Sequence, residues 1–175
     1  MNVSQAIRLK RAVRTFSPRP LPESAVEVIL TAGRRAQSAK NSQPWHFIAI
    51  QDRRLLEALS RTGTFANHLA GAALGVAILT PDPEQRWSIL FDAGQAAAYM
   101  QLAAWNLGIG SCPATIYEAE AARSILHHPA DLVLHVAISF GYPADPEILT
   151  SPPRAGGRRA SGEVVHYERW GPARP

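Results

Sequence analysis

Fourteen prolines cut this 175-residue chain into short pieces, and the pieces limit what it can fold into. A proline lacks the backbone N–H and fixes φ, so it interrupts helix interiors and central strands alike. The prolines cluster at Pro18-Arg19-Pro20-Leu21-Pro22, at Pro81-Asp82-Pro83, at Pro143 to Pro146 and at Pro152-Pro153. Between them, Val3 to Ala12 reads as a helix with Ala6, Ile7 and Leu9 partly buried. Glu23 to Arg35 carries Val26, Ile29, Leu30 and Gly33 at helical spacing behind a proline lead-in. Trp45 to Gln51 (WHFIAIQ) alternates and is rich in aromatic and β-branched residues, which predicts a strand. Arg53 to Arg61 predicts a short amphipathic helix. Ala73 to Leu79 is an unbroken apolar run of strand length, as expected of a central strand covered on both faces.

Glu84 to Leu107 reads as helical, with Asp92 a cap where a second helix begins and Gly108 at the left-handed position that ends it. The density of alanine from Ala93 to Leu107 lets helices approach closely, which places this segment centrally or at a subunit interface. Glu118 to His127 predicts a further short helix, and Leu132 to Phe140 (LVLHVAISF) the last strand. The tail from Thr150 reads as irregular. Few strands among several helices, without internal repeats, predict an α+β domain spanning 1–175.

Hydrophobic residues make up 46% of the chain and charged residues 18%. The charged share is below the usual value of about 25%, which excludes a disordered, solvating chain. The net charge of +4 is too small to imply a nucleic-acid partner. Only Lys10 and Lys40 are lysines, so the positive charge is mostly the forked guanidinium suited to phosphate and carboxylate. The lone Cys112 excludes an internal disulfide, and the histidines show no metal-ligand spacing. The longest apolar run, Leu69 to Leu79, is too short to span a bilayer, and the charged opening MNVSQAIRLKR resembles no targeting segment. A cytoplasmic protein without membrane contact is the expectation.

Four stretches offer chemistry. Lys10-Arg11-Ala12-Val13-Arg14-Thr15-Phe16 places cations beside a helix end, as a phosphate clamp or a solvated helix face. Ala36 to Trp45 sets small polar residues between a helix and a strand, as a polar ligand loop or an ordinary connection. Gly108 to Thr115 reads as a helix stop and turn with exposed amides; no strand precedes it, so it is not a dinucleotide fingerprint. Gly156-Gly157-Arg158-Arg159 is a second possible clamp or a soluble tail.

The order of these stretches resembles the FMN-dependent nitroreductase family. The resemblance rests on KRAVRTF at 10–16, QSAKNSQPWHF at 37–47, an alanine-rich helix from Asp92-Ala93-Gly94 to Leu107-Gly108-Ile109-Gly110, Gly-Tyr-Pro at 141–143 and Gly-Arg-Arg at 157–159. It implies a sandwich around a central mixed, mainly antiparallel sheet flanked by helices. It also implies a homodimer with FMN at the interface, and a C-terminal arm, 150–175, extending onto the partner subunit. By position, Lys10, Arg11, Ala12 and Arg158 would meet the FMN phosphate, and Arg14 the pyrimidine edge of the ring. Ser38 and Asn41 would line the flavin from the partner subunit. Asn67 would read the ring edge, and Ala114, Thr115 and Ile116 would approach N5 and O4. Trp45 belongs to the core.

Ala12 stands where the family has serine, and Lys10 where it has arginine, so a hydroxyl and a guanidinium fork are missing. Only ten residues separate Thr80 from Phe91, where larger relatives carry a helical excursion over the active site, so an open or differently covered pocket is implied. The implied activity is oxidoreduction between NADH or NADPH and an electron-poor acceptor such as a nitroaromatic or a quinone. It would proceed by ping-pong hydride transfer through the flavin, with no catalytic acid or base on the protein. The rivals are a non-catalytic FMN store or redox sensor, a flavin-dependent dehalogenase, and an enone reductase.

Overall fold

The computed structural model describes residues 1–151 and 157–171. Four strands form its sheet: β1 (His46–Ile50), β2 (Leu74–Pro81), β3 (Gly110–Thr115) and β4 (Leu132–Gly141). They lie in the order β1-β2-β4-β3, and every pairing is antiparallel. The helices are α1 (Val3–Leu9), α2 (Glu23–Arg34), α3 (Arg53–Leu59), α4 (Ser88–Asn106), α5 (Ala119–Leu126) and α6 (Ser161–Val164).

Both faces of β2 are covered, which is why its sequence is unbroken in hydrophobicity. Leu74, Val76 and Ile78 point toward α2 and α4, joined by Ile138 and Phe140 of β4 and by Ala96, Met100 and Ala104 of α4. Ala77 and Leu79 point the other way, into a second layer with Leu56 and Leu59 of α3 and Ala122 of α5. Trp45 is buried in the first layer, so it is a core residue.

One irregularity interrupts the ladder. Ile78 pairs with Val136, but the next residue, Leu79, pairs with Leu134, so His135 has no opposite residue on β2. Such a bulge re-aims a side chain. Here His135 shares the α4 face with its neighbour Val136.

The N-terminal segment departs from the predicted helix. α1 stops at Leu9, and Ile7 is 64% exposed rather than partly buried. The chain then runs extended along the open edge of β3. Ala12 forms a parallel bridge with Ser111, and Phe16 an antiparallel one with Pro143. The sheet is thereby mixed at this edge.

Two further expectations are corrected. Asp92 caps no second helix: α4 is continuous, and Asp92 is buried within it. Gly110 to Thr115 is a strand, not a turn; Pro113 is tolerated because β3 lies at the sheet edge. Gly108 does take the left-handed conformation, at φ 73°. The tail contains the single turn α6, while Pro152, Pro153 and Gly156 lie outside the described residues. Among the described residues, no helix is long and apolar enough to cross a membrane.

Candidate functional site

The end of α1 and the edge of β3 bring most of the expected cations together. Lys10 caps α1, and its Nζ donates to Gln101 Oε1 on α4 at 2.5 Å. Gln101 is steadied in turn by donating to the Ala97 carbonyl at 3.1 Å. The Arg11 guanidinium donates to the carbonyls of Leu9 and Ser151. Ala12 offers backbone only; the amide after it, at Val13, donates to the Ser111 carbonyl at 3.0 Å. Arg14 is exposed on the same edge.

A cavity of about 480 Å³ opens here between Leu9, Lys10, Arg11 and the distant Gly157 and Arg158, with Arg8 on its wall. Among the described residues, four cations and no acid surround it. Burial lowers the pKa of Lys10; the Cys112 sulfur opposes this and Arg158 adds to it. Cys112 is buried, and burial pushes its thiol up against the pull of Arg14 and Lys10.

A second group of expected residues adjoins the first along β3. The Thr62 carbonyl accepts from the amides of Tyr117 and Glu118 at 2.8 and 3.0 Å. A Cβ on Gly63 would stand 2.1 Å from the Thr115 carbonyl oxygen, so only glycine lets the loop close this tightly. The result fixes the loop at 62–63 against the end of β3, where Ala114 and Ile116 are buried and Thr115 is exposed; Asn67, four residues after Gly63, is exposed. His68 is buried behind them, its Nδ1 2.8 Å from Ser139 Oγ, which donates to the Cys112 carbonyl. Burial lowers the His68 pKa, the Arg14 charge lowers it further, and a hydrogen bond with the Pro113 backbone opposes them.

Ser38 and Asn41 lie elsewhere. Their loop is strained: Lys40, Asn41 and Gln43 have φ of 54°, 53° and 45°, a region unfavourable to residues with a side chain. Such strain persists only where the surroundings impose it. The Asp92 carboxylate accepts from the Ala39 amide at 3.1 and 3.2 Å, Arg86 donates to Ser42 Oγ at 2.8 Å, and Gln95 donates to the Gln37 carbonyl. Asp92 and Gln101 are nine residues apart on α4, or about 13 Å and two and a half turns. They therefore face opposite sides, and one chain does not bring Ser38 and Asn41 to Lys10 and Arg158.

Arg8 is legible in the sequence as part of the basic run at 8, 10, 11 and 14. Sequence reasoning missed Gln101 and His68 as supports and Asp92 as the anchor of the 38–43 loop. These are set by contacts across 53 to 91 residues of sequence, which no local pattern encodes.

The Nitroreductase family model matches residues 7–64 and 63–142. The chain belongs to the nitroreductase family. Among its relatives, an Archaeoglobus fulgidus protein provisionally named NADH dehydrogenase/NAD(P)H nitroreductase is 32% identical over 173 residues, covering 94% of this chain and 96% of that one. An FMN-dependent nitroreductase of Clostridium difficile R20291 superposes with a TM-score of 0.84 at 25% identity, over 96% of this chain and all of that one. Nitroreductase A of Vibrio parahaemolyticus superposes with a TM-score of 0.86 at 20% identity, covering 99% of this chain but 79% of its own. This member of the nitroreductase family is thus shorter than that relative while keeping its fold.

Proposed function

We propose that the protein is an FMN-dependent NAD(P)H oxidoreductase working as a homodimer on nitroaromatic, quinone or similar electron-poor small molecules. The observation that carries this reading is the cavity at which Lys10 and Arg11, from one end of the chain, meet Gly157 and Arg158 from the other. The residue set fits a phosphate dianion, because four cations line the wall and no carboxylate does among the described residues. Bound FMN supplies a two-electron carrier that lets nicotinamide and acceptor react in turn at one place.

The chain's own residues hold and polarise. Lys10, Arg11 and Arg158 would neutralise the phosphate, with the Ala12 backbone beside them. Arg14 would set positive charge against the ring edge and favour its reduced, anionic form. Asn67 and the backbone of Ala114, Thr115 and Ile116 would meet the ring edge farther along β3. Ser38 and Asn41 would come from the partner subunit, since in one chain they face away across α4.

The test is anaerobic stopped-flow mixing of the purified, FMN-reconstituted protein with NADH or NADPH. Bleaching of flavin absorbance by either nicotinamide, and its return on adding an acceptor, is expected. Protein that takes up no FMN would overturn the site. Bound flavin that neither nicotinamide bleaches would leave a store or sensor instead.

A further inference from the structure

The loop at 38–43 keeps a conformation that it would not hold alone. Lys40, Asn41 and Gln43 have positive φ within four residues, and the loop contains no glycine to ease it. Asp92 is the buried end of the hold. It is 2% exposed, and both its oxygens accept from the Ala39 amide, at 3.1 and 3.2 Å. Among the described residues it has no ion pair. A carboxylate taken out of water without a cation is costly, so packing alone gives no reason for one here.

The bonds inside the loop decide what it can offer. Ser38 Oγ accepts from the Gln43 amide at 2.9 Å, so its own hydrogen remains to donate elsewhere. Asn41 Oδ1 accepts from Gln43 Nε2 at 3.2 Å, so both hydrogens on Asn41 Nδ2 remain. The loop is thus set as a pair of donors, which suits acceptor oxygens. It also borders apolar surface that a lone chain leaves in water. Arg86, which donates to Ser42 Oγ, is followed by Trp87, and Asp92 is preceded by Phe91; both aromatic side chains are exposed.

We propose that Asp92 is a positioning residue that acts across the subunit boundary. By fixing the Ala39 amide it keeps Ser38 and Asn41 set as donors toward acceptor oxygens of the FMN whose phosphate the partner chain's cations hold. Strain of this kind persists only where the surroundings impose it. Without Asp92 the loop relaxes, and FMN binding must then order it again at a cost in affinity. The proposal rests on the homodimeric FMN reading above.

The experiment is fluorescence titration with FMN of homodimers and of a heterodimer purified through two different affinity tags. One chain of the heterodimer carries Asp92→Ala, and the other carries Lys10→Ala with Arg158→Ala. Each altered homodimer should bind FMN at least tenfold more weakly than the unaltered protein. In the heterodimer, one site combines the first chain's intact cations with the second chain's intact loop. It should bind one FMN per dimer at unaltered affinity, while the other site carries both defects. Two weak sites in the heterodimer overturn the proposal, because Asp92 would then serve its own chain's site. Unchanged affinity in the Asp92→Ala homodimer overturns it as well. Asp92→Asn keeps an acceptor for the Ala39 amide and should stay within threefold of the unaltered protein; a loss as large as alanine's would deny that this bond matters. Circular dichroism and sedimentation velocity of every sample separate positioning from folding. Where Asp92→Ala does not fold, Asp92→Ser takes its place in the heterodimer with the same expected outcomes, and failure of both to fold makes Asp92 a folding residue and ends the proposal. An unaltered dimer that binds FMN, beside a heterodimer with two weak sites, sinks this proposal alone. Unaltered protein that binds no FMN, or binds it as a monomer, sinks the reading beneath it.

Discussion

Lys10 is a cation that its surroundings oppose. Burial lowers its pKa from the ordinary 10.5, Arg158 adds to the shift, and Cys112 resists it. Between the lowered value and 10.5 the unfolded chain binds more protons than the folded one, so this group's contribution to stability rises with pH there. Phosphate retention runs the opposite way, because it needs the charge. FMN should therefore leave the protein as pH rises through the lowered Lys10 value, before an ordinary lysine would titrate. Lys10→Arg stays charged throughout and should retain FMN to higher pH. Fluorescence of released flavin against pH checks this, and identical curves for the two proteins would place Lys10 outside the phosphate site. His68 gives a test on the acid side. Its folded pKa is lowered, by burial and then by Arg14, with the Pro113 backbone opposing. Below about pH 6.5, the ordinary histidine value, the unfolded chain takes up a proton that the folded chain resists, and stability falls. His68→Gln should cost about 1 kcal/mol near neutrality through the lost Ser139 bond and should flatten that acid limb. Urea denaturation at pH 7.5 and pH 5.5 measures both, and an equal acid loss in the variant would assign the limb to another group.

The elements explain why these residues meet. The segment 10–16 reaches the sheet only because β3 offers a glycine at the contact. A Cβ on Gly110 would stand 2.6 to 2.8 Å from the Cβ and both γ-carbons of Val13. Those atoms are short, branched and buried, so they give little. Gly110→Ala should cost about 1–3 kcal/mol and also loosen FMN, although Gly110 carries no donor side chain. A lower melting temperature with unchanged FMN affinity would mean that the basic segment is held by other contacts. The same strand marks where sequence reading fails. The composition of Gly110 to Thr115, with a glycine, a serine and a proline in six residues, imitates a turn, and only position at a sheet edge permits it as a strand. The helix at 23–34 and the run in β2 were legible because burial writes a period, or its absence, into the sequence. The basic residues of the proposed phosphate site stand out through their order along the chain. Asp92, Gln101 and the bulge at His135 were not, because a distant contact and a register shift leave no local trace.

At the scale of the whole molecule, α4 divides the site. It carries Asp92 and the 38–43 loop on one face, and Gln101 with Lys10 on the other. Two chains related by a twofold axis would bring the first face of each to the second face of its partner, completing two equal sites. The exposed surface agrees with such a pairing: Trp87 is 78% exposed and Phe91 62%, and their rings meet edge to face 6.3 Å apart, a large apolar pair that a lone chain leaves in water. The cofactor and the interface should then be linked. Phe91→Arg places a charge on that surface and should shift the protein toward monomer while leaving the core of each chain folded. FMN should be lost in the same step, because a monomer retains Lys10, Arg11 and Arg158 but not the partner's half. Sedimentation velocity monitored at both protein and flavin wavelengths reads the two events together. Dilution of the unaltered protein should release flavin in parallel with dissociation, and excess FMN should hold the dimer together. A Phe91→Arg monomer that sediments with a full complement of FMN would show that one chain builds the whole site.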